Sequence, residues 1–143
     1  MNKKGIVIFL LIIIGIFGYK FVFQGGSYQG ELVPVEDAVL ALEEALKNGK
    51  PTFLEFTSDN CPACRKAKPW IEEFYQIYGR DINFILVDVE KKGGGALGQE
   101  LGVRAVPTFI YFNKSGNIVN ILEGYPVTNS KEYLEEPIRT LLE

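Results

Sequence analysis

At 143 residues the chain is long enough for one domain of ordinary size plus a short extra segment. Apolar residues make up 47% and aromatics 13%, which supports a packed core and excludes disorder as the default. A net charge of −3, with acids and bases interspersed, leaves no basic patch for nucleic acid and no polyacidic tail.

The N-terminus reads Met1-Asn2-Lys3-Lys4, followed by an uncharged apolar run over residues 5–19. Lys20 interrupts the run and Phe21-Val22-Phe23 extend it. Residues 5–23 nearly span a hydrocarbon core of about 30 Å if Lys20 snorkels to the interface. The segment reads as an uncleaved anchor or a secretory signal peptide. No A-x-A-like site follows it closely and no lipobox cysteine is present, while Gln24-Gly25-Gly26-Ser27 offers a place to cut. Being apolar all round, it does not pattern as a buried core helix. Lys3 and Lys4 predict an N-terminus that stays in the cytoplasm, with the rest outside. The expected organisation is an anchor or signal segment at 1–24, a flexible linker at 25–31, and a folded domain at 32–143.

A helix is expected from Pro34, with Val35, Ala38, Val39, Leu42 and Leu46 on one face. Glu36 and Asp37 then fall in its first turn, and Gly49 suits its stop. Lys50-Pro51 leads into a β-type run from Thr52 to Thr57, then a polar turn, then Cys61-Pro62-Ala63-Cys64. After the cysteines Trp70, Ile71, Phe74, Ile77 and Tyr78 recur at helical spacing, with Pro69 in the interior and an end near Gly79.

That context puts Cys61 at or just before a helix N-terminus and Cys64 one turn in. The partial positive charge of the helix end favours a thiolate at Cys61, and Cys64 is close enough to close a disulfide. The spacing reads as a redox dithiol. Two other readings stand beside it. A zinc site needs about four ligands, and with no histidine and no third cysteine it would have to draw on carboxylates or a second chain. A static structural disulfide closing so short a loop removes little unfolded-chain entropy.

Residues 82–89 are dense enough in apolar and β-branched residues for a buried central strand. A loop at 91–95 and a short helix at 96–101, closed by Gly102, are expected next. Phe109-Ile110-Tyr111-Phe112, the turn Asn113-Lys114-Ser115-Gly116-Asn117 and a strand at 118–122 form a hairpin. Gly124-Tyr125-Pro126 breaks it. The last helix is expected near Asn129, with Glu132 as a capping-box partner and with Pro137 kinking it or dividing it in two. This order implies an α/β fold, a mixed sheet with helices on both faces.

With these elements in place, residues 32–143 resemble the thioredoxin-like family. Beyond the C-x-x-C, Glu55 lies six residues before Cys61, where the family carries a buried acid, and Pro69 lies five after Cys64, matching its kinking proline. Val106-Pro107-Thr108 matches the loop whose proline is cis and packs beside the dithiol. Gly124 follows the hairpin where the family has a glycine lining the substrate groove. Three features depart from the pattern: the intervening dipeptide is Pro-Ala, Thr57 and Asn60 replace the aromatic residues before the first cysteine, and Leu86 stands where thioredoxin has a lysine near the buried acid.

The resemblance implies a thioredoxin-like fold with no cofactor and no metal, and the apolar run places it behind an N-terminal transmembrane helix. The family likeness makes Cys61 the attacking thiolate and Cys64 the resolving one, the pair forming the redox disulfide. Glu55 is the candidate base for Cys64, its pKa raised by an apolar strand unless it faces outward. Val106, Pro107 and Gly124 are the candidate substrate-binding residues, with the Val106 backbone pairing with an extended client. Trp70 and Tyr78 belong to the core, whereas Asp59 and Asn60 border the dithiol.

Taken with the apolar N-terminus, the chain is similar to membrane-tethered reductases that face out of the cytoplasm. They act on protein or peptide disulfides and draw electrons from a membrane dithiol carrier of the DsbD/CcdA type, with apocytochrome c thiols among the conceivable clients. If the N-terminal segment is cleaved, the product is secreted. An oxidase or isomerase on the same fold is the first alternative, which the absence of a histidine between the cysteines disfavours. A non-catalytic or soft-metal-binding adaptor is the second.

Overall fold

The computed structural model describes residues 30–143 other than 127 and 129. The expected anchor or signal segment and residues 25–29 of the linker lie outside the described residues. The elements run α1 (Ala38–Lys47), β1 (Thr52–Thr57), α2 (Pro62–Tyr78), β2 (Asn83–Asp88), α3 (Gly94–Glu100), β3 (Thr108–Phe112), β4 (Ile118–Glu123) and α4 (Ser130–Thr140). The four strands form one sheet in the order β2-β1-β3-β4. The β1–β2 pair is parallel, and the β1–β3 and β3–β4 pairs are antiparallel.

β1 is an inner strand, paired on both sides, and nearly every one of its residues is buried. Its alternation therefore feeds two cores. Phe53, with Leu86, Phe109 and Tyr111, packs under Ala67, Ile71 and Phe74 of α2 and Leu134 and Ile138 of α4. Leu54 and Phe56, with Ile85, Val87, Ile110 and Phe112, pack under Ala38, Leu42 and Ala45 of α1 and Leu97 of α3. Helices thus cover both faces of a mixed sheet, as the element order implies.

Several expectations are corrected. The first helix begins at Ala38 rather than Pro34, because Asp37 is its N-cap and accepts a hydrogen bond from the Leu40 N–H at 3.2 Å. Pro34 instead forms a parallel bridge to Leu86, with the Val35 N–H donating to the Leu86 carbonyl at 2.9 Å. Val39 therefore turns outward, and Ala45 takes the core position. Ile77 is 53% exposed, since it lies off the stripe that Ile71, Phe74 and Tyr78 define on α2. β2 is an edge strand of the sheet, not a central one; helices bury its two faces while the Pro34 bridge sits on its outer edge. α3 starts at Gly94, two residues early, behind a left-handed Gly93. α4 is a single helix that contains Pro137. Its expected cap, Asn129, lies outside the described residues.

Candidate active site

The turn between β1 and α2 is fixed from two sides. The Ser58 hydroxyl donates to Glu90 Oε1 at 2.8 Å and accepts from the Asn60 N–H at 3.2 Å. Asn60 Nδ2 also reaches Glu90 Oε1 at 3.4 Å. The Cys61 N–H donates to the Ser58 carbonyl at 3.1 Å. A loop with many polar residues is thereby locked to the end of β2, and the chain enters α2 at one angle.

Cys61 is the N-cap of α2, and its Sγ accepts a hydrogen bond from the Cys64 N–H at 3.0 Å. Pro62 follows at the first helical position, where a missing N–H costs nothing and a fixed φ suits the helix. A sulfur in this place faces the unsatisfied amides and the positive end of the helix, so negative charge on it is favoured. Cys61 and Cys64 form a disulfide with Cα atoms 5.3 Å apart. They are 8% and 4% exposed, so Cys61 is the more accessible of two well-covered cysteines.

The three candidate binding residues are linked to one another, and Val106 reaches Cys61. Its Sγ lies 3.5 Å from the Val106 carbonyl oxygen. The Val106–Pro107 bond is cis. The Pro107 carbonyl accepts from the Gly124 N–H at 2.8 Å, and Gly124 has a φ of +79°, a left-handed conformation that an L side chain resists. The Thr108 hydroxyl donates to the Ala105 carbonyl at 2.8 Å, tightening the same loop.

Glu55 lies inside the sheet, 3% exposed, opposite Leu86 on one side and Phe109 on the other. It shares its face with Phe53, on the side covered by α2 and α4. Desolvation pushes its carboxyl up to about 8, an effect that the Thr57 side chain and the Lys68 charge partly offset. A cleft of about 290 Å³ joins Glu55 to Cys64, with Leu32, Pro34, Lys68 and Leu86 among its walls. Glu55 and Cys64 therefore line the same cleft.

Lys68 is the residue that sequence reasoning missed. Leu86 cannot supply a cation to Glu55; the charge of Lys68, one turn beyond Cys64 on α2 and itself 3.6 Å from Glu72, lowers the Glu55 pKa at longer range. The four-residue spacing Cys64–Lys68, which puts both on one side of a helix, was the available signal. Trp70 and Tyr78 are half-buried against the core. Lys131 Nζ sits 5.3 Å from the Trp70 ring centroid, and the Tyr78 hydroxyl donates to Glu135 at 2.8 Å. Asp59 and Asn60 are exposed beside the dithiol, and the Asp59 carbonyl is held by the Arg65 guanidinium at 2.9 Å.

Residues 39–136 match the family described as the thioredoxin-like domain. The chain is 33% identical over 105 residues to the chloroplastic thioredoxin-like protein HCF164 of Arabidopsis thaliana, covering 73% of this chain and 39% of that protein. It is 27% identical over 135 residues to a thiol:disulfide interchange protein TxlA homolog of Synechocystis, covering 92% of this chain and 69% of that one. The chain thus spans about two fifths of the length of its HCF164 relative. Among solved structures, oxidized thioredoxin O2 of Arabidopsis thaliana superposes with a TM-score of 0.64 at 27% identity, covering 77% of this chain and 96% of that one. A Malassezia sympodialis thioredoxin superposes with a TM-score of 0.64 at 23% identity, over 81% and 100% of the two chains, a likeness of fold.

Proposed function

Because the chain belongs to the thioredoxin-like domain family, we propose that it is a thiol–disulfide oxidoreductase, tethered outside the cytoplasm and working mainly as a reductase of protein disulfides. The observation that carries this reading is Cys61 at the N-cap of α2, joined to Cys64 and bordered by the Val106 carbonyl.

In the reduced protein the Cys61 thiolate attacks one sulfur of a client disulfide. The client's other sulfur leaves as a thiolate, and a mixed disulfide remains on Cys61. The Val106 backbone is placed to pair with the extended client segment beside that bond. Cys64 must then lose its proton to attack Cys61. Glu55, in the same cleft, is the group that takes it, its pKa near 8 being matched to a thiol. The second client thiol leaves and the Cys61–Cys64 disulfide closes, so two electrons have passed to the client. In the return direction protonated Glu55 gives the proton back to Cys64.

The reducing direction is supported by what surrounds Cys61. Pro62-Ala63 offers it no side-chain donor, and the chain has no histidine. The helix terminus alone lowers a thiol pKa only part of the way. The membrane tether is supported by the apolar run 5–23 behind Lys3 and Lys4. Among the described residues no helix is long and apolar enough to cross a membrane. Electrons then come from a membrane dithiol carrier of the DsbD/CcdA type.

Equilibration of the full chain in detergent against glutathione, with thiol alkylation as readout, tests the direction. The expected potential is about −200 mV or lower, while a value above about −150 mV would make the protein an oxidant and end the reductase reading.

A further inference from the structure

Two grooves start at residues in contact with Cys61. One, of about 290 Å³, is lined by Val89, Gly98, Val103, Arg104 and Val106 among others. The second, of about 420 Å³, is lined by Pro62, Ala63, Lys66, Tyr125, Pro126 and Ser130. Each groove carries one charged side chain, and in both it is a cation.

Most other cations on the surface are engaged. Lys47, Lys68, Lys92, Lys131 and Arg139 pair with carboxylates, and Arg65 and Lys50 hold backbone carbonyls. Lys66 and Arg104 are exposed, and their side chains have no partner among the described residues. No acid lines either groove. Glu90 is held by Ser58 and Asn60, and Asp59 lines the separate cleft shared by Glu55 and Cys64.

We propose that Lys66 and Arg104 select the client: the segment that docks across Cys61 is extended and carries acidic side chains on either side of its cysteine. The inference rests on the oxidoreductase reading above and names the substrate class for that site. Two unpartnered cations in mostly apolar grooves attract an acidic segment before contact and hold it afterwards, and they repel a basic one. Since both side chains are exposed and free, little desolvation or side-chain rearrangement opposes the pairing.

The test uses the full chain in detergent, pre-reduced, and two synthetic peptide dimers, each joined by a single cystine. One has Glu flanking the cysteine, the other Lys, in an otherwise identical sequence. The second-order rate constant for peptide reduction is expected to favour the acidic dimer by about three- to tenfold at low salt. Raising the salt to about 0.5 M closes the gap by screening. The double variant Lys66→Glu/Arg104→Glu is expected to invert the order of the two peptides, whereas Lys66→Arg/Arg104→Lys keeps it. Equal rates for the two dimers with the wild-type protein, or an unchanged ratio in the charge-reversed variant, would overturn the proposal. If the wild-type protein reduces neither dimer nor the neutral 2-hydroxyethyl disulfide, the oxidoreductase reading itself fails.

Discussion

The two faces of the sheet are built to different standards. Under α1 and α3 the core consists of Leu54, Phe56, Ile85, Val87, Ile110 and Phe112 with their helical partners, an apolar cluster. Under α2 and α4 an equally buried cluster of Phe53, Phe74, Phe109 and Ile138 also holds Tyr111, whose hydroxyl reaches the Leu134 carbonyl at 3.2 Å. On that same face Glu55 is 3% exposed. A carboxyl in such a place costs stability whenever it ionises. The first face only has to hold the sheet together. The second carries Cys64 as well, and the chain keeps there a group that a purely structural core would have replaced.

The largest effect expected from breaking this contrast is on the structural side. Phe56→Ala removes a fully buried ring and should cost about 3–5 kcal/mol, equally at pH 5 and pH 8, in urea unfolding. On the redox side the cost should depend on pH. Glu55 is raised from an unfolded value of 4.5 to about 8 in the fold, so the stability of its protonated form is fully present below the lower value. It is lost progressively as pH rises through the upper one. Glu55→Gln does not titrate. Relative to wild type it should therefore gain about 3 kcal/mol between pH 4 and pH 9, partial solvent entry on ionisation trimming the full linkage value. The same variant should slow resolution of the mixed disulfide while Cys61 alkylation stays within a few-fold. A stability difference flat in pH would mean that Glu55 is already ionised in the fold.

Tyr111→Phe sharpens the comparison by removing a polar atom that does not titrate near neutrality. A loss of about 1 kcal/mol is expected, independent of pH below 9, and a pH-dependent loss would couple Tyr111 to the acid. The smallest effect belongs to Lys68→Met. Without that cation Glu55 holds its proton more tightly, so the pH midpoint of the resolving step should move up and its rate at pH 7 fall by less than about threefold. Lys68→Arg should restore both.

What could be read in advance follows from the range of each interaction. The strand leading to Cys61, the helix behind it and the 113–117 turn are local patterns, visible over a few residues. Glu55 was harder: strand alternation cannot assign a face when both faces are buried, and only its distance from Cys61 and the family resemblance pointed inward. The placing of β2 failed for a related reason. Apolar density reports the helices above and below a strand and says nothing of its neighbours in the plane. Asp37 reads as a first-turn residue because Pro34 offers an earlier start, although its side chain is a natural cap. The Ser58–Glu90 bond and the approach of Lys68 to Glu55 join elements that only the fold brings together.

The Pro34 bridge has a consequence for solubility. The outer edge of β2 would otherwise offer unpaired backbone groups to any passing strand, and the residue seated there has no N–H with which to extend a ladder. Among the described residues the opposite edge, β4, has no such guard, and Ile118, Val119 and Ile121 are all exposed along it. A chain trimmed past Val35 would retain the dithiol but have two open edges instead of one. Its expected failure is self-association into aggregates, well before any loss of redox chemistry.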